Sequence, residues 1–159
     1  MYISYSEYTA LYEPIEDKVF SRLAFNASRY LDRLTAGVDG VKKLMVAMPT
    51  DEADKASVTH CAAHVINILL QIEEAEKSAS LGRGLIQAEG GARGKVVSSV
   101  SAGNESVTYS TSAGNTAIDA AIGNAAERDK LICDTIRHYL SGVKDSNGVN
   151  LLYMGAYPN

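Results

Sequence analysis

The chain has 159 residues, of which 46% are hydrophobic and 21% charged, a balance that favours one globular domain and argues against global disorder. The formal net charge of −4 argues against a dedicated nucleic-acid-binding protein, because phosphate neutralisation requires clustered Lys and Arg. The N-terminus has no basic segment followed by an apolar one, so no secretory signal is expected. No apolar run approaches the roughly 20 residues that span a bilayer. Cys61 and Cys133 are expected to be reduced residues within helices rather than a disulfide pair.

The first third of the chain predicts three helices. A capping box at Ser4 and Glu7, with tyrosines at helical spacing, predicts a short helix over 5–11. Pro14 opens a second helix over 14–35, which ends before Gly37 and Gly40. Its apolar face is expected to comprise Val19, Leu23, Ala27, Tyr30 and Leu34. A short apolar helix over 41–48 follows and stops at Pro49.

The remainder of the chain predicts two further long helices, separated by a glycine-rich loop and a β-hairpin. The longest helix is predicted over 51–80, with a broadly buried middle, and five glycines between 81 and 94 then predict a mobile loop. Two runs rich in Ser and Val, around residues 102–104, predict a β-hairpin over 95–110. A last helix over 115–142 is expected to bury Ile118, Ile122, Ala125, Ile132, Ile136 and Tyr139.

These elements predict a mainly α fold, a bundle of about four to five helices with an inserted β-hairpin and an extended C-terminal tail. The bundle domain covers residues 1–142, and its glycine-rich loop and hairpin excursion lie at about 82–110. Residues 143–159 are expected to form a docking tail.

No catalytic constellation and no cofactor motif is found, so we expect a protein without enzymatic activity, cofactor or metal. His60 and His64 lie one helical turn apart, but Cys61 stands where a zinc hydrolase needs Glu, so they are interpreted as ordinary helix residues. A basic row on the second helix is a candidate DNA-facing or ion-pairing face, and interleaved acidic residues favour a solvated face or intersubunit ion pairs over DNA contact. This row consists of Lys18, Arg22, Arg29 and Arg33.

Apolar and aromatic residues near both ends are candidate partner-binding residues. In the tail these are Leu151, Leu152, Tyr153, Met154 and Tyr157, which suit a docking peptide, although folding back onto the domain is an equally weighted alternative. Tyr5, Tyr8 and Tyr12 form a stripe that either covers the end of the bundle or meets a partner. Val107 and Tyr109 of the predicted hairpin are further candidate interface residues.

The order of these motifs resembles the head–tail connector (adaptor) proteins of long-tailed bacteriophages that infect Gram-positive bacteria. The resemblance is carried by YISYSEY over 2–8, FSRL over 20–23, NESVTYS over 104–110, YLSG over 139–142 and LLYMG over 151–155. The chain departs from that family in a longer glycine-rich insert over 82–94 and in Met154, where a basic residue often stands. The resemblance is carried by the order and spacing of these motifs together.

The resemblance implies a structural virion protein, made in the cytoplasm of the bacterial host and located in the neck at the capsid vertex. Its copies are expected to form a ring, commonly of about twelve, beneath the portal protein. The ring would enclose DNA without reading its sequence and offer a docking surface to a stopper or tail-completion protein; no membrane is involved. The alternatives are another phage morphogenesis protein, such as a tail-completion protein, or a small helical DNA-binding regulator.

Overall fold

The structure is a computed structural model that describes residues 1–88, 99–102, 105–108 and 116–158. The chain is mainly helical, as the sequence predicted. Within the described residues the elements are α1 (Tyr5–Thr9), α2 (Asp17–Thr35), α3 (Lys43–Val46), α4 (Glu52–Ala88), β1 (Ser99–Ala102), β2 (Glu105–Thr108), α5 (Ala117–Ala121) and α6 (Ala125–Leu140).

The chain divides into two compact units. Unit 1 comprises Met1–Leu70 and Asp129–Asn159, and unit 2 comprises Gln71–Arg128. The sequence placed a boundary at residue 142, with a separate tail beyond it. The described C-terminal residues, 143–158, instead belong to unit 1, because Val143 and Leu151 are buried there.

The amphipathic helix α2 supplies much of the core of unit 1. Its buried face consists of Phe20, Leu23, Ala24, Ala27, Ser28, Leu31 and Thr35. Leu23 and Ala27 were predicted, whereas Val19, Tyr30 and Leu34 are only half-buried, since the true apolar stripe lies beside the predicted one. The helix begins at Asp17 rather than at Pro14.

The long helix α4 begins where predicted and ends later. Asp51 caps it by accepting hydrogen bonds from the backbone N–H groups of Ala53 (2.9 Å) and Asp54 (3.2 Å). Its middle is broadly buried, as expected, with Val58, Cys61, Val65, Ile66, Ile68, Leu69 and Ile72 all inaccessible or nearly so. The predicted loop is wrong for residues 82–88, which continue the helix, because isolated glycines lower helix stability by about 1 kcal/mol each without forbidding it. Residues 89–94 of that loop lie outside the described residues.

The predicted single helix over 115–142 is two helices, α5 and α6. Gly123 breaks it by adopting a φ of +69°, a conformation that favours glycine. Each new helix has its own cap, from Thr116 and from the Asn124 side chain. Within unit 2 the Glu76 carboxylate accepts from the Gly123 backbone N–H (3.2 Å) and forms an ion pair with Arg128. Of the predicted core residues, Ile132 and Ile136 are buried, Ile118, Ile122 and Tyr139 are half-buried and Ala125 is exposed.

The strands β1 and β2 pair antiparallel, with Val100 opposite Val107 and Ala102 opposite Glu105. Residues 103–104, between them, and Tyr109 lie outside the described residues. The projecting hairpin over 95–110 therefore remains a prediction.

Candidate partner-binding surface

The C-terminal segment folds back onto unit 1. Lys144 and Asn150 form an isolated antiparallel bridge, and the Leu151 N–H donates to the Val143 carbonyl at 3.0 Å. The turn between them is organised by the buried Asp145 carboxylate, which accepts from the backbone N–H groups of Asn147 and Val149, each at 2.9 Å. Asp145 thus centres a loop that returns the chain to the helices.

A buried lysine holds the segment that follows this turn. Lys43, at the start of α3, is fully buried, and its ammonium donates to the backbone carbonyl of Leu151 at 3.1 Å and to that of Tyr153. Burial lowers the pKa of Lys43, and the nearby carboxylates of Asp145 and Asp39 partly oppose this shift. Burying a cation is costly unless its donors are hydrogen-bonded. The carbonyls of Leu151 and Tyr153 supply these hydrogen bonds to the buried Lys43 ammonium.

Tyr157 fixes the end of the described chain. Its N–H donates to Asp39 Oδ2 at 2.7 Å, and its hydroxyl donates to Asp145 Oδ2 at 2.7 Å. The first contact lowers the pKa of Asp39, while partial burial, with the hydrogen bond to Asp145, raises the pKa of Tyr157. The segment is therefore attached at several points by polar contacts as well as by Leu151.

This attachment presents a group of exposed apolar side chains. The Val38 N–H donates to the Met154 carbonyl at 3.2 Å, which joins the loop after α2 to the C-terminal segment. The exposed fractions are large throughout this group: Val38 77%, Met45 66%, Val46 65%, Tyr153 52% and Met154 61%. We call these five residues the apolar surface. Exposed large apolar side chains that lie close together are typical of a partner-binding site, and the hydrogen bond between Val38 and Met154 brings two of these residues together.

The predicted tail anchors fall into three classes. Tyr153 and Met154 are exposed and belong to the apolar surface, whereas Leu152 and Tyr157 are half-buried. Leu151 is fully buried, so it is a core residue of unit 1 and not an available anchor in this conformation. The alternative in which the tail folds back thus accounts for Leu151, and a docking role remains a prediction for Tyr153 and Met154.

The tyrosine stripe packs against unit 1. Tyr8 is buried and stacks on Tyr12, with ring centroids 5.6 Å apart, and also contacts Phe20 at 5.5 Å. Tyr5 meets Phe20 edge-on at 5.2 Å and is 36% exposed. Tyr8 therefore covers the end of the bundle. An interface role for the exposed part of Tyr5 remains a prediction.

The basic row lies on the outside of α2, where Lys18, Arg22, Arg29 and Arg33 are all exposed. Arg33 forms an ion pair with Asp129 of α6 at 3.4 Å and lies over the Tyr30 ring. One member of the row thus makes an ion pair within unit 1. Lys18 and Arg29 remain candidates for contact with a partner.

The histidine pair is not brought to a metal-ligand arrangement. His64 Nδ1 is hydrogen-bonded to the Tyr12 hydroxyl at 2.8 Å, and its ring packs near Tyr139, while His60 is exposed. Within the described residues no group of three His, Cys, Asp or Glu side chains is placed to hold a metal ion. Cys61 is buried, which raises the pKa of its thiol to about 12, and both cysteines are free thiols.

Sequence reasoning missed several residues that form or support the apolar surface. Lys43, Val38 and Met45 were not among the predicted partner-binding residues. The helix predicted over 41–48 is only four residues long, Lys43–Val46, and it leaves Met45 and Val46 exposed.

Comparison of the chain with protein family models, curated proteins and solved structures found no match. Among the described residues, no helix is long and apolar enough to cross a membrane.

Proposed function

We propose that the protein is a head–tail connector (adaptor) subunit of a long-tailed bacteriophage, a structural protein that docks through the apolar surface. In this proposal its copies form a ring, commonly of about twelve, under the portal protein, where the ring extends the DNA channel and receives a stopper or tail-completion protein. The protein acts in the virion neck after assembly in the host cytoplasm and performs no chemistry.

The observation that supports the proposal is the exposure of five large apolar side chains of unit 1, two of which, Val38 and Met154, belong to segments joined by a hydrogen bond. The five are Val38, Met45, Val46, Tyr153 and Met154. The C-terminal motif that resembles the connector family, LLYMG over 151–155, contributes two of these residues. Aromatic and Met side chains are enriched in the cores of protein interfaces, where they bury large apolar areas. In the proposed role this surface meets the portal, and the predicted hairpin over 95–110 meets a neighbouring subunit or ring.

The test uses phage that lack the gene and receive it in trans. The double variant Tyr153→Ser/Met154→Ser removes apolar area from two exposed positions, so we expect it to fold but to leave heads and tails unjoined. The matched control, Tyr153→Phe/Met154→Leu, keeps that area and should restore joined virions. Thermal unfolding of both purified variants should match that of the wild type within a few degrees.

Normal phage titres with Tyr153→Ser/Met154→Ser would refute docking through the apolar surface. Fractionation of lysates distinguishes a connector from a tail-completion protein. A connector co-purifies with heads, whereas a tail-completion protein co-purifies with tails.

A further inference from the structure

Phe25 is an exposed aromatic residue at the middle of α2. Its side chain is 58% exposed, although α2 has a well-defined buried face. Lys18, Arg22 and Arg29 are spaced by helical intervals around it, so all four share the side of α2 that faces away from the core. We call these four residues the Phe25 stripe. Aromatic and Arg side chains together are the commonest residues that dominate interface energies.

A second feature of unit 1 is an open cleft between α1 and the first turns of α4. Its volume is about 340 Å³, near the lower end of the range of ligand pockets, roughly 300–1,000 Å³. The residues that line it include Glu7, Ala10, Leu11, Glu52, Lys55 and Ala56. Leu11 is 43% exposed, which leaves apolar area open to a visiting side chain.

The two features are complementary in charge. The stripe offers one phenyl ring flanked by cations, and the cleft offers alanine and leucine surface beside two carboxylates and one ammonium group. Phe25 is exposed, so it does not fill the cleft of its own chain. Hydrogen bonds from Ser4 lower the pKa of Glu7, so this carboxylate is ionised at neutral pH.

We propose that the Phe25 stripe of one copy binds the cleft between α1 and α4 of a second copy. The contact is heterologous, because each copy uses two different surfaces, and such contacts close into rings when the rotation between neighbours permits. This inference rests on the proposed function, which supplies the reason for a ring, and it names the two surfaces through which neighbouring copies bind. Duplex DNA as the partner accounts for the cations of the stripe but not for a phenyl ring at its centre or for the cleft.

Disulfide trapping with the full-length chain tests the contact. In a Cys133→Ser background, Ser21→Cys places a thiol one turn before Phe25, and Ala56→Cys places another in the cleft; Cys61 is buried and stays unreactive. The two variants are mixed and oxidised with diamide. The matched control pair combines Ala56→Cys with Ser141→Cys, a position that is also exposed but lies outside both surfaces.

We expect the Ser21→Cys and Ala56→Cys pair to cross-link at least about tenfold faster than the control pair, which corresponds to about 1.4 kcal/mol of contact free energy. Adding Phe25→Ser to the Ser21→Cys chain should reduce the rate to that of the control. Equal rates, insensitivity to Phe25→Ser, or a predominance of Ser21→Cys homodimers would each overturn the proposal.

Duplex DNA provides the competing outcome. If DNA at low salt binds in a Phe25-dependent way and suppresses the cross-link, the stripe is a nucleic-acid surface and the proposal is wrong. The experiment contains no portal protein, and Tyr153→Ser/Met154→Ser should leave the cross-linking rate unchanged. A failure here therefore leaves the connector assignment standing, and a failure of the connector assignment leaves this contact testable.

Discussion

Replacing Leu151 with Ala tests whether the C-terminal segment is part of the folded unit in solution. Leu151 is fully inaccessible, its backbone carbonyl accepts a hydrogen bond from Lys43, and its N–H donates to the Val143 carbonyl. The substitution removes three carbon atoms, worth about 0.8 kcal/mol each, and leaves a partly relaxed cavity. We expect the free energy of unfolding to fall by about 2.5–4 kcal/mol.

Equilibrium urea unfolding, followed by circular dichroism, measures this loss. Met154→Ala is the matched control on the same segment, and since Met154 is exposed we expect it to cost less than about 0.5 kcal/mol. A cost below about 1 kcal/mol for Leu151→Ala would refute the packing of the tail against unit 1. The segment would then be a free tail, as the docking-peptide interpretation of the sequence requires.

Two further substitutions test local features of the fold. Gly123→Ala should cost about 1–2 kcal/mol, because residue 123 has a φ of +69° and a side chain there gains no contact; Gly123→Asn should cost less, and urea unfolding compares the two. Glu7→Ala should cost less than about 1 kcal/mol at pH 7 through loss of the Ser4 capping box. Contacts with Ser4 lower the pKa of Glu7 from its ordinary 4.5, so its contribution is complete above that value and is lost as the pH falls through the folded pKa. Unfolding curves of wild type and Glu7→Ala should therefore converge in acid; a difference that persists there would contradict the capping role.

The sequence predicted those parts of the fold that local chemistry determines. The Ser4–Glu7 box is formed by side chains within three residues of the backbone groups they satisfy, so it was visible in the printed sequence. The wide burial of α4 followed from apolar residues on several sides of one helix. The break at Gly123 was missed because helical periodicity continues through it.

Long-range contacts account for what the sequence did not reveal. The attachment of the tail depends on Lys43, which lies 108 residues from Leu151 along the chain, and no local pattern identifies such a partner. The same attachment decides which tail residues remain exposed, so the sequence named Tyr153 and Met154 correctly as apolar but could not separate them from Leu151. Val38 and Met45 become candidates only once the fold brings their segment to the tail.

Electron microscopy of a lysate from phage that lack this gene tests the connector assignment most directly. The assignment predicts DNA-filled or emptied heads together with complete but separate tails, and joined virions when the wild-type gene is supplied in trans. Intact, joined virions in the deletion lysate would contradict it.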